Sequence, residues 1–223
     1  GLSCLAGIYA ASYLKPFQHS HKIKRAWFFF NLLIASMIFV FLAHNAILFL
    51  IAWELMTLSS FFLVTLEDEK QEGQEAGQIY LVATHLGTFF LLMLFILLGN
   101  GSPILDFNLF AVPNNGLANF LFMFAVVGFG TKAGFIPFHV WLPEAHPAAP
   151  SHVSAVMSGM MIKTGIYGLL RILTFLGQPP EWWGWVFIGI GCSSGIMGVL
   201  LALAQHDLKR LLAYHSVENI GII

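Results

Sequence analysis

Charge is scarce in this 223-residue chain: ten Lys and Arg face eleven Asp and Glu, 9% of the residues, where an ordinary soluble domain has about 25%. So small a set cannot coat a globule of 24.7 kDa with a water-compatible surface. Its near balance, net −1, also excludes a basic face for nucleic acid. Cysteine is almost missing, and Cys4 and Cys192 form no CxxC pair, which argues against a disulfide framework and a zinc site. There is no Gly-rich phosphate loop, nucleophile elbow or cysteine cluster, so no flavin, haem, iron–sulfur cluster or nucleotide is expected to bind, and no cofactor is assigned to this chain. No initiating Met is present, and the chain opens and closes inside apolar stretches, 1–14 and 217–223, as a piece of a longer membrane protein would. What remains is apolar: 58% hydrophobic residues and a mean hydropathy of +0.80 make the lipid bilayer the expected solvent.

The few charges divide the chain into spans. Residues 26–66 carry one charge, Glu54, and as a single helix would be about twice as long as a hydrocarbon core of ~30 Å. They are read as two spans, 26–44 and 46–66, turning at His44-Asn45. Further spans are expected at 79–98, from about Leu117, at 152–173 and at 183–204, with breakers at 99–103 and 177–180. With the two cut-off ends this makes eight helical segments. Continuous apolar runs, without the alternation of membrane strands, predict an all-α transmembrane bundle. Counting crossings puts connections 15–25, 67–78, 137–151 and 205–215 on one side, with Lys15, Lys22, Lys24, Arg25, Lys70, Lys209 and Arg210. The other side holds no Lys or Arg, so the first side is assigned to the cytoplasm. The acidic run 67–72 then reads as a solvated turn or short amphipathic helix.

Three cations remain inside spans. Arg171, at the outer end of its helix, is expected to snorkel to the headgroups. Lys132 and Lys163 lie deeper, as does Glu54, and a charge near the bilayer centre costs at least ~2.5–3.5 kcal/mol. A Glu54–Lys132 ion pair that merely clamps two helices is one explanation. It would leave Lys163 without a carboxylate in any span, and desolvation favours the neutral form of an unpaired amine, which is what a proton carrier requires. Gly130 and Gly134 precede Pro137, so the helix bearing Lys132 should break there. Backbone freed at membrane depth is tolerated where protein buries it or water fills a cavity. The following segment, with Pro143, Pro147 and Pro150, reads as a half-helix and a rigid turn. His139, His146 and His152 fit proton relays or structural hydrogen bonds; their spacing matches no metal-ligand pattern and makes an intramembrane hydrolase a remote alternative. His85, beside Thr84, is a further relay candidate or a packing residue.

Four motifs in order, Trp53-Glu54-Leu55-Met56, the run from Gly130 to His146, Ile162-Lys163-Thr164-Gly165, and the run from Asp207 to Ser216, resemble the antiporter-like membrane subunits of complex I, Mrp-type antiporters and group 4 hydrogenases. The ending Ala213-Tyr214-His215-Ser216-Val217-Glu218-Asn219-Ile220-Gly221 looks most like the hydrogenase-4 component B and formate hydrogenlyase membrane subunits. The resemblance implies that residues 1–25 close an upstream helix and a basic loop, 26–173 form the first of two inverted five-helix repeats, and 174–223 begin the second. It implies that Glu54 is the family's glutamate, Lys132 the broken-helix lysine and Lys163 the connecting lysine, with protons passing among them as electrons move in partner subunits. Implied partners are other membrane subunits and a peripheral redox arm, in the inner membrane of a bacterial or archaeal cell, with Na⁺ as an alternative ion. A stand-alone Na⁺ or K⁺/H⁺ antiporter and a non-conducting assembly subunit remain the other readings.

Overall fold

The computed structural model describes residues 1–13, 21–66, 71–99 and 105–223. Among them it is helical throughout, with no strand. After α1 (Leu2–Tyr13) come α2 (His21–Leu42), α3 (Ala46–Val64) and α4 (Gln71–Leu98), then a 3₁₀ turn at Phe107–Leu109 and α5 (Asn115–Ala133). Two short helices, α6 (Leu142–Ala148) and α7 (Ser151–Val156), lead through a π-helical turn at Met157–Met161 into α8 (Ile162–Leu173). The chain closes with α9 (Glu181–Leu203) and α10 (Leu208–Ile222). Six segments are long and apolar enough to cross a membrane, with α7, the π turn and α8 forming one continuous span.

Short polar side chains set the boundaries. Asn45 caps α3 by accepting the Leu48 N–H at 2.7 Å, Asn114 caps α5 through Leu117, and Asp207 caps α10 through Arg210. The expected spans lie within a few residues of these helices, with three corrections at their ends. The polar stretch 71–78, taken as part of a loop, forms the first two turns of α4. Gln71 reaches Glu75 one turn on at 2.9 Å, while Gly73, Ala76 and Gly77 turn inward, so the helix continues beyond its apolar part. Likewise 21–25 and 208–215 are helical turns rather than loop. Lys15, Glu67–Lys70 and the breaker residues 100–103 fall outside the described residues.

The two ends of the bundle are built differently. Glu72, Glu75, Glu144, His206, Asp207 and Arg210 line one vestibule of about 840 Å³, which joins three of the four connections assigned to the same side. At the far end, His44-Asn45 hydrogen-bonds the 105–107 segment: Ala46 donates to the Leu105 carbonyl and Phe107 to that of His44. Arg171 belongs to this corner. Its guanidinium packs 4.8 Å over the Phe107 ring and donates to Tyr167 and to the Ala43 carbonyl, which the partly buried corner places within reach.

Candidate functional site

The α3 helix presents Glu54, Thr57 and Ser60 at helical spacing toward the interior. Facing them from α4 is Tyr80, whose hydroxyl lies 2.5 Å from Ser60 Oγ. Into this polar seam α5 inserts Lys132, 2% exposed. Its Nζ donates to Thr57 Oγ1 at 2.9 Å and to Tyr80 Oη at 3.2 Å, with the Trp53 and Tyr80 rings 5.7 and 5.5 Å away. Among the described residues Lys132 forms no ion pair within 4 Å; neutral hydroxyls stand where the alternative of a Glu54–Lys132 clamp would put a carboxylate.

Glu54 turns elsewhere. Its Oε2 lies 3.6 Å from His85 Nε2, and its buried Oε1 has no hydrogen-bond partner among the described residues. The other His85 nitrogen, Nδ1, sits 2.9 Å from the Leu81 carbonyl. A carbonyl only accepts, so Nδ1 carries a hydrogen, and a neutral His85 turns a bare Nε2 toward the carboxylate.

Directly after Lys132 the helix ends. Gly134 takes a left-handed conformation (φ 74°) and donates to the Gly130 carbonyl at 2.8 Å, a C-terminal cap that a side chain would spoil. Gly130 leaves room for the Phe135 ring, which folds back on the helix. Pro137 lies in the irregular turn that follows, and Pro143 in the first turn of α6, where its missing N–H costs nothing. Trp141 fills the gap: its indole donates to the Thr131 carbonyl at 2.7 Å and its ring lies tilted against that of Tyr80, 4.9 Å between centroids.

Lys163 follows the π turn. A π turn displaces backbone carbonyls from the regular ladder, and Lys163 Nζ takes the one at Ser158 at 2.6 Å. Ser158 Oγ in turn meets Ser216 of α10 at 2.7 Å. Between Lys132 and Lys163 lie Tyr80, Met161 and Thr164, with the Met161 sulfur 3.9 Å from Tyr80 Oη and its carbonyl 2.6 Å from Thr164 Oγ1. Among the described residues no unbroken line of hydrogen bonds joins the two lysines.

The histidines are dispersed. His146 of α6 is buried, with Nδ1 2.7 Å from Ser154 Oγ and Nε2 without a partner. Burial, then the charges of Lys209 and Lys163, lower its pKa to about 4. His139, in the turn after α5, is half-buried near Tyr214, and burial lowers its pKa too. His152 lies apart from Lys132, edge-on to Tyr13 and Phe30.

A family model described as NADH:quinone oxidoreductase/Mrp antiporter, TM, matches residues 43–223. The chain belongs to this family. Hydrogenase-4 component B of Escherichia coli K12 is 43% identical over the whole chain, which covers 34% of that relative. The Mrp complex of Dietzia sp. DQ12-45-1b superposes with a TM-score of 0.79 at 31% identity, covering 86% of this chain and 22% of that one. An archaeal membrane-bound sulfane sulfur reductase gives 0.81 at 26%, covering 99% and 38%. The chain thus spans about a third of the length of the curated relatives it matches. It is an antiporter-like, multi-pass membrane segment. In this family member, sequence reasoning passed over Thr57, Ser60, Tyr80 and Ser158. The first three carry a legible signal, polar groups recurring at three- and four-residue intervals on otherwise apolar helices. Ser158 carries none, because the π turn that frees its carbonyl has no mark in the sequence.

Proposed function

We propose that this segment is the proton-conducting half-channel of a redox-driven ion pump of the hydrogenase-4/formate hydrogenlyase or NADH:quinone oxidoreductase kind. Electron transfer resides in partner subunits, and residues 26–173 act as one repeat against a second that starts near 174. One observation carries the proposal: a buried ammonium, Lys132, held by hydroxyls instead of a carboxylate, with a half-buried carboxylate on the neighbouring face of the same seam. A clamp would neutralise the amine; hydroxyls leave it able to release and regain a proton, since the Thr57 and Tyr80 hydroxyls can each either accept or donate.

Glu54 and His85 take up one proton between them, and that proton changes the field at Lys132, which Glu54 reaches. The amine responds by holding or releasing its own proton toward Lys163. The Met161 sulfur between them requires water or a side-chain movement at that step, which makes it the controlled one. His146, buried behind the vestibule wall formed by Glu144 and Pro147 and with an unpartnered Nε2, is the intake.

In the full-length protein within its complex, reconstituted in vesicles, Lys132→Ala or Glu54→Gln lowers redox-coupled proton movement at least about tenfold, while assembly and electron transfer persist. Unchanged pumping in both overturns the proposal. Loss of assembly with normal flux per assembled complex after Glu54→Gln supports a structural subunit instead. The likeness to an Mrp complex supports a second reading, a cation/proton antiporter. Sodium-dependent proton exchange in vesicles that hold no redox partner selects it.

A further inference from the structure

The last carbonyls of a helix have no partner within it, and proline just beyond cannot supply an N–H. The α6 helix ends in this way at Pro147-Ala148-Ala149-Pro150. The missing donor comes from the first turn of α10: Lys209 Nζ donates to the Pro147 carbonyl at 3.1 Å and to the Ala149 carbonyl at 2.8 Å. A cation there also meets the negative end of the helix dipole. One residue on, Arg210 reaches Glu144 near the start of α6 at 2.7 Å. From α9, Ser194 Oγ accepts the Ile136 N–H at 3.0 Å, in the irregular turn after α5. The α9–α10 hairpin therefore holds the broken segment at three places.

Between the two grips on α6 lies His146. Its Nδ1 faces Ser154 of α7, and its Nε2 is enclosed and unpartnered. The exposed Arg210–Glu144 pair contributes little by itself. The two charge-assisted bonds from Lys209 are partly buried and stronger. The elements packed here carry these charged and titratable groups: Glu144 on α6, His152 on α7, Lys163 on α8, Lys209, Arg210 and Asp207 on α10, His206 before it, and Glu72, Glu75 and Tyr80 on α4. Arg210 engages Glu144, and the cations Lys209 and Lys163 are the charges that act on His146.

We propose that Lys209 is a positioning residue: by holding the Pro147 and Ala149 carbonyls it seats His146 against Ser154, so that protonation of that imidazole depends on how the α9–α10 hairpin sits against the broken helix. The start of the second repeat thereby controls intake into the first, a consequence that rests on the conduction proposed above. The seat itself does not.

The test uses the full-length protein in its complex with ¹⁵N-labelled imidazoles, His146 being assigned by its loss in His146→Gln, and reads the protonation midpoint without any gradient. In Lys209→Gln the midpoint rises by about one unit or more, as one nearby charge is removed and the cap loosens. In Lys209→Arg, which keeps charge and donors, it stays within about half a unit of the parent. An unchanged midpoint in folded Lys209→Gln overturns the proposal. Should that variant fail to assemble, Lys209→Arg decides: a parent-like midpoint supports the seat, and a shift of a unit or more overturns it. Failure of Lys132→Ala to reduce pumping removes the half-channel yet leaves this midpoint where it is, so the two results separate.

Discussion

At the scale of single residues, the energetics turn on which groups meet a charge removed from water. Lys132 is stable in its seam because Thr57 and Tyr80 replace water around the ammonium. Thr57→Val keeps the volume and deletes one acceptor. It is expected to destabilise the protein by about 1–3 kcal/mol, because the remaining partner satisfies only one of the three ammonium hydrogens. Equilibrium unfolding in mild detergent measures this, and a variant as stable as the parent would mean that water already fills the place of the hydroxyl. Glu54 and Lys132 stand out in the sequence as charges within apolar runs. Their actual partners do not, since hydroxyls on helices are common and only the packing of α3 against α4 and α5 selects these.

At the scale of elements, the break after Lys132 is a matter of backbone room. Gly134 combines a positive φ with a position where an added Cβ would meet Leu142 at 1.8 Å. Gly134→Ala is therefore expected to cost about 1–2 kcal/mol for the left-handed conformation, and more for displacing the start of α6. Gly165 poses the complementary case: a Cβ there would come within 2.7 Å of the Ala133 backbone, so Gly165→Ala pushes α8 off α5. Both variants should lower the unfolding midpoint, and Gly134→Ala should also expose Trp141, seen as a red shift of its fluorescence. The break could be read from Gly and Pro spacing along the chain. The π turn before Lys163 could not, since Met157–Met161 carries neither a Gly–Pro pairing nor a side-chain cap that sets it apart from an ordinary helical run.

At the scale of the whole molecule, stability follows pH through His146. Its pKa is depressed from 6.5 to about 4, so the unfolded chain binds the proton first as pH falls. The stability that this neutral imidazole contributes is complete above pH ~6.5 and is lost between there and pH ~4, up to about 3 kcal/mol at about 1.36 kcal/mol per unit. Thermal unfolding across that window should steepen in the parent and flatten in His146→Gln; equal slopes would mean that water reaches the ring. Membrane class and span number were determined by the chain alone, because apolar run length reports directly on transfer between water and lipid. Partner choice was decided only by the tertiary structure: Glu54 with His85, Lys132 with Thr57 and Tyr80, Arg171 under Phe107, Lys209 on the end of α6. Residues far apart in the chain settle which polar groups remain when water is excluded, and no local pattern carries that information.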